Sequence, residues 1–285
     1  MVIEKHTGDG KVVLIAGGGK IYTDIAARFV RSERSLEEII GSPYSKQIVE
    51  NILECGHRAA LEFDFFLFGV EGYSRVTEVQ LVRKRLASYL IKSGRSELGG
   101  KRAFSIVYPE KINTFSAAVQ LPASLLSTAE GTPLPDRLTD CEAVELKIDA
   151  RLLASITEQW YEQGLEQGLP EEDLRYMKPQ ATEFKAIIGM NAHSLLDWFA
   201  IRCCKNAQNE IRDLANKMLA LCKKAAPDLF RDAGAGCVQL GYCPENKAQN
   251  ARCRHILTKK EALKILEEHG RTRAGKKPEQ SLPES

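Results

Sequence analysis

Between Ser194 and about Ala225 an apolar residue recurs every three or four positions: Leu196, Phe199, Cys203, Ala207, Ile211, Leu214, Met218 and Leu221. That spacing puts them on one side of an α-helix, so a long helix with one buried face is expected to organise the second half of the chain. Elsewhere the pattern changes. Lys11-Val-Val-Leu-Ile-Ala16 reads as a short buried strand, and Gly17-Gly-Gly-Lys20 as a plain tight turn, since its spacing fits neither a P-loop nor a dinucleotide fingerprint. A helix follows over Ile21 to Ser32, then another over Pro43 to Cys55 with Ser42 as its N-cap and Gly56 as its breaker. Leu61 to Gly69 is aromatic enough for a strand. Val76 to Lys92 reads as a long helix with Val79, Val82, Leu86 and Leu90 as its core stripe and Gly94 as its cap. Phe104 to Tyr108 is strand-like, Glu142 to Gly168 helical, and Phe184 to Met190 a strand. A charged helix is expected over Lys259 to His269, and the Lys-, Pro- and Ser-rich tail after it reads as disordered. Strands and helices in this order imply an α+β fold, a mixed β-sheet flanked by long helices.

Composition narrows the function classes. Lys plus Arg (40) nearly balances Asp plus Glu (38), so no global field argues for nucleic acid or a membrane surface as partner, and any anion site must be local. No apolar run approaches the roughly 20 residues a membrane span needs, and a cytoplasmic protein is expected. Eight cysteines in 285 residues are too few for a disulfide scaffold. Cys237, Cys243 and Cys253, with Cys203, Cys204 or His255, are numerous enough for a four-ligand site, yet the five residues between Cys237 and Cys243 are not zinc spacing. Free packed thiols and no metal are therefore the expectation.

The most informative stretch is Gln80-Leu-Val-Arg83-Lys84-Arg85-Leu-Ala-Ser88-Tyr-Leu90-Ile91-Lys-Ser93-Gly94-Arg95-Ser96. It resembles the signature of flavin-dependent thymidylate synthases: Arg-His-Arg, two residues, Ser, one, Asn-Glu, one, Ser, one, Arg-Tyr. Arg83, Arg85, Ser88, Ser93 and Arg95 match in register, whereas Lys84 stands for the His, Leu90-Ile91 for Asn-Glu and Ser96 for the Tyr. Upstream, His57 followed by Leu61-Glu62 is similar to the family's His-containing loop. Downstream, Asn191-Ala-His193-Ser-Leu195, Arg202, Ala207-Gln208 and Glu210-Ile-Arg212 resemble a second family block, with His193 at the family's Arg and Arg175 and Pro179 placed as the family places an Arg and a Pro.

The resemblance implies a homotetramer with FAD at a subunit interface. It implies transfer to dUMP, or a related uracil nucleotide, of a one-carbon unit from methylenetetrahydrofolate, with NADPH as reductant. It places His57, Arg83, Lys84, Arg85, Asn191 and His193 near the flavin. Gln80, Ser93, Gly94, Arg95, Arg175 and Arg202 fall near the nucleotide, Arg202 being the catalytic candidate because a guanidinium there stabilises the enolate of uracil. Residues 1–230 form the expected catalytic domain, 231–270 a cysteine-containing extension and 271–285 the tail. The altered positions 84, 90, 91, 96 and 193 leave two alternatives open: a silent paralogue that binds flavin or nucleotide, and an enzyme with another uracil acceptor. Leu90 is expected to have joined the core, so that restoring Asn-Glu would destabilise the protein.

Overall fold

A computed structural model describes residues 3–19, 21–93, 104–122, 143–245, 253 and 256–274. Gly94, Arg95, Ser96 and His255 lie outside them. Eight strands are described: β1 Ile3–His6, β2 Lys11–Ala16, β3 Phe65–Ser74, β4 Ser88–Ile91, β5 Ser105–Tyr108, β6 Ser116–Pro122, β7 Ala143–Asp149 and β8 Glu183–Asn191. The helices are α1 Tyr22–Phe29, α2 Leu36–Ile40, α3 Lys46–Cys55, α4 Arg75–Leu81, α5 Glu110–Asn113, α6 Ala150–Glu166, α7 Glu171–Leu174, α8 Ala192–Arg202, α9 Asn209–Ala225, α10 Pro227–Phe230, α11 Gly236–Leu240 and α12 Lys259–Ala274. Short 3-10 helices occupy Arg58–Phe63 and Arg175–Met177. One sheet has the order β2-β3-β8-β4, while β1 pairs parallel with β5 and β6 antiparallel with β7. The α+β class expected from the sequence is what the chain adopts.

The chain divides into two compact units. The first holds residues 1–11, 70–83 and 89–187, and its core gathers Phe104, Ile106, Tyr108, Ala154, Tyr161 and Leu174. Phe104 meets Tyr161 edge-on at 5.4 Å, and the Lys178 ammonium lies 4.4 Å from the Tyr161 ring centre. The second unit holds residues 12–69, 84–88 and 188–285. Phe66 and Phe199 pack on Phe230 at 5.2 and 6.2 Å, and one face of α9 buries Ile211, Leu214, Met218 and Cys222. Glycines 17 to 19 all have positive φ, as the tight turn requires, and Gly56 caps α3 in the left-handed region.

Several sequence expectations need correction. The helix expected over Val76 to Lys92 ends at Leu81, and Ser88–Ile91 is a strand, bonded onward where Lys92 N donates to Lys185 O at 2.9 Å. Its supposed core stripe is exposed: Val79 51%, Val82 41%, Leu86 73% and Leu90 75%. The long second-half helix is two helices, α8 and α9, because Gln208 turns its side-chain oxygen onto Glu210 N and Ile211 N and starts α9 afresh. The segment before α6 is the strand β7, closed by Asp149, whose carboxylate caps α6. Helix α3 begins at Lys46 after Ser45, three residues later than Ser42 and Pro43 suggested. The strand expected over Leu61 to Gly69 starts at Phe65, since Arg58–Phe63 winds as a 3-10 helix. Arg271 to Ala274, expected in the tail, finish α12.

Candidate functional site

The local backbone that carries the site is fixed by one buried carboxylate. Asp64, 4% exposed, accepts from Tyr22 N (2.8 Å), Thr23 N (2.9 Å) and Thr23 Oγ1 (2.5 Å), capping α1 where Ile21 offers no side chain. Its carbonyl takes the N–H of Ala192, the first residue of α8, at 2.8 Å. Asn191 then caps α8 itself, its Oδ1 accepting from Ser194 N at 2.8 Å. The end of the 3-10 helix and the starts of α1 and α8 are thus tied together at one residue.

On these two elements and the turn after α4 a set of charges converges. Asp197 receives Arg58 Nη1 on Oδ1 at 3.2 Å and Lys84 Nζ on Oδ2 at 3.3 Å. One helical turn before it, His193 places Nε2 3.9 Å from Asp197 Oδ2 and Nδ1 3.3 Å from Glu62 Oε1. The side chains are partly open to solvent, Arg58 at 38% and Asp197 at 43%. Ion pairs that exposed contribute roughly 0 to 1 kcal/mol each, too little for stability alone to explain the gathering. The arrangement offers forked and point-charge donors of the kind that bind an anion or a carbonyl edge.

Of the residues singled out from the sequence, Lys84 and His193 meet at Asp197 although they come from different motifs. Asn191 is adjacent as the helix cap. His57 is exposed just before the 3-10 helix that bears Arg58 and Glu62, and Arg83 and Arg85 are exposed on either side of Lys84. Arg202 is half-buried at the end of α8. In the first unit, Gln80 donates to Val76 O at 3.3 Å, Ser93 is exposed after β4, and Arg175 is exposed with its Nε on Glu172 O at 3.2 Å. Arg58 and Asp197 were not found from the sequence, as neither falls on a matched motif position. The available signal for Asp197 was its spacing of four from His193, which puts both on one helix face.

Among the described residues no three His, Cys, Asp or Glu side chains are arranged to hold a metal ion. Burial pushes the Cys203 thiol up to about 12, and it raises Cys237 with smaller contributions from Cys204, Cys243 and Cys253. Among the described residues no helix is long and apolar enough to cross a membrane.

The chain resembles known proteins in sequence and in fold. A family model described as "Thymidylate synthase complementing protein" matches residues 16–228. A flavin-dependent thymidylate synthase of Geobacter sulfurreducens is 33% identical over 241 residues, covering 85% of this chain and 89% of the relative. One from Nitratidesulfovibrio vulgaris is 35% identical over 199 residues, covering 70% and 72%. In fold, the chain is similar to the crystal structure of a UMP/dUMP methylase, PolB, from Streptomyces cacaoi bound with 5-Br dUMP, with a TM-score of 0.59 at 18% identity over 81% of this chain and 96% of that one.

Proposed function

The chain belongs to the flavin-dependent thymidylate synthase family, the thymidylate synthase complementing proteins, and from that premise we propose that it methylates dUMP to dTMP. FAD is its redox group, methylenetetrahydrofolate its one-carbon donor and NADPH its reductant. The observation that carries the reading is the meeting of Lys84 and His193, from two separate motifs, at one half-exposed carboxylate.

The donor set fits an anionic dinucleotide. Arg58 and Lys84 supply cations and His193 a ring N–H donor or acceptor, with exposed Arg83 and Arg85 next to Lys84 in the sequence, and bidentate or point-charge donors suit diphosphate oxygens and flavin carbonyls. Flavin supplies the electron transfer that the side chains here cannot perform. In this reading His57, Arg83, Lys84, Arg85, Asn191 and His193 bind and orient it. Gln80, Ser93, Gly94, Arg95 and Arg175 hold the nucleotide, and Arg202 stabilises negative charge on the uracil as C5 becomes nucleophilic. Lys84 puts an ammonium where the family has an imidazole, and so acts electrostatically, as a point charge. A homotetramer in the cytoplasm completes the proposal.

The test is the visible spectrum of the purified protein, followed by chromatographic detection of dTMP from dUMP with the folate donor and NADPH. A yellow protein that forms dTMP is expected. Protein that stays colourless with added FAD and forms no dTMP would overturn the reading in favour of a silent paralogue.

A further inference from the structure

Arg58 opens a 3-10 helix, Lys84 sits in the turn after α4 and His193 lies on α8, yet all three face the carboxylate of Asp197. His193 has a second carboxylate, Glu62, at 3.3 Å, so the exchangeable partners of Asp197 are Arg58 and Lys84. Cations drawn from separate elements onto one carboxylate make a receptor that another anion can enter. Asp197 is 43% exposed, so its carboxylate can turn into solvent without leaving a buried charge unpaired.

We propose that Asp197 is an internal competitor for anionic ligands at this site: in the free protein it holds Arg58 and Lys84, and a diphosphate-bearing ligand binds by taking those cations from it. Arg58, which falls on no matched motif position, thereby becomes a ligand-binding residue, and Asp197 sets the affinity. The inference rests on the flavin reading only for the identity of the natural ligand. The competition itself concerns any diphosphate. Its scale follows from partly exposed pairs, whose loss or gain changes affinity about five-fold.

The experiment is calorimetric titration of the full chain with inorganic pyrophosphate at low salt. Asp197→Asn is expected to bind about five-fold more tightly than the unaltered protein, and Arg58→Ala and Lys84→Met about five-fold more weakly. The gain from Asp197→Asn should vanish when Arg58→Ala and Lys84→Met are both present, because neither exchangeable partner of Asp197 remains. Asp197→Ser repeats the test with a different neutral side chain, and thermal melts check that each variant folds. Equal or weaker pyrophosphate binding by both Asp197 variants would overturn the proposal, since the carboxylate would then be positioning the cations and not competing for them. So would an undiminished gain in the triple variant. Parallel titration with FAD separates the two readings. Uptake of FAD without any effect of Asp197 on pyrophosphate leaves the flavin reading standing and removes this one. A tighter grip on pyrophosphate in Asp197→Asn with no FAD uptake does the reverse.

Discussion

Asp64 joins the first turns of two helices through one side chain and its own backbone. Its carboxylate serves three donors of Tyr22 and Thr23, and its carbonyl serves α8, which bears His193 and Asp197. Asp64→Ala should cost about 3 kcal/mol, because buried N–H groups lose a charged acceptor. Denaturant unfolding measures this, and a loss below about 1 kcal/mol would show that α1 finds another cap. No sequence rule reaches this residue, since α2, α3 and the 3-10 helix lie between it and the helix it caps. Asp197 and Arg58 escaped notice for a similar reason: their pairing is made through space, whereas Lys84 and His193 fell at positions that a recognisable motif already marked. Glu183 is a third case. Burial alone would raise its pKa, but Ser105, Lys5 and the N–H of Gly72 outweigh it and hold the carboxyl below the usual carboxylate range. A group depressed in the folded state contributes stability above its unfolded pKa and loses it as pH falls through the folded one. Melting temperature should therefore drop more steeply between neutral and strongly acid pH in the unaltered protein than in Glu183→Gln. Parallel curves would show that Glu183 is not coupled to folding.

Which elements were legible depended on whether local pattern and tertiary pairing agreed. In β3 Phe66, Phe68 and Val70 are buried in alternation, and β8 buries Phe184, Ala186 and Ile188 in the same way, so the strands expected there, β3 from its aromatic content, are paired in the sheet. The stretch after Gln80 misled because valines and leucines at helical spacing also occur in a short helix, a turn and an edge strand in succession. Before α6 the alternation of Val144, Leu146 and Ile148 was present, but the helical spacing of α6 itself extended over it and hid the strand. For Leu90 the outcome is direct. It stands on β4, the last strand in its sheet order, and is 75% exposed, so it has not joined the core. Leu90→Asn should accordingly change stability by less than about 1 kcal/mol, the scale of strand propensity at an edge. Thermal melts test it: a loss of several degrees beyond that would restore the buried-Leu90 reading. Ile91, half-buried, is the position where a carboxylate would meet neighbours.

At the scale of the whole molecule, the second unit leaves an apolar groove of about 570 Å³ lined by residues that include Tyr22, Phe29, Val30, Leu36 and Phe63. These side chains are 40% to 77% exposed, and they come from α1, α2, the 3-10 helix and the residue that ends α1. Single exposed apolar residues are ordinary, but a contiguous set of large ones marks a surface that something covers. The family expectation of a homotetramer supplies a candidate for the cover, another copy of the chain. Phe63 and Phe29 are the useful probes because both are already open to solvent, at 65% and 47%, so charging them leaves the monomer's own core intact. The unaltered protein is expected to run as a tetramer by light scattering at micromolar concentration. Phe63→Glu combined with Phe29→Glu should shift it to smaller species by at least about ten-fold in dissociation constant, since two unpaired carboxylates would have to be desolvated in each interface. An unaltered protein that is monomeric would remove the tetramer. A double variant that stays tetrameric with unchanged melting would leave the tetramer but move its interface elsewhere, and the groove would then need a different occupant.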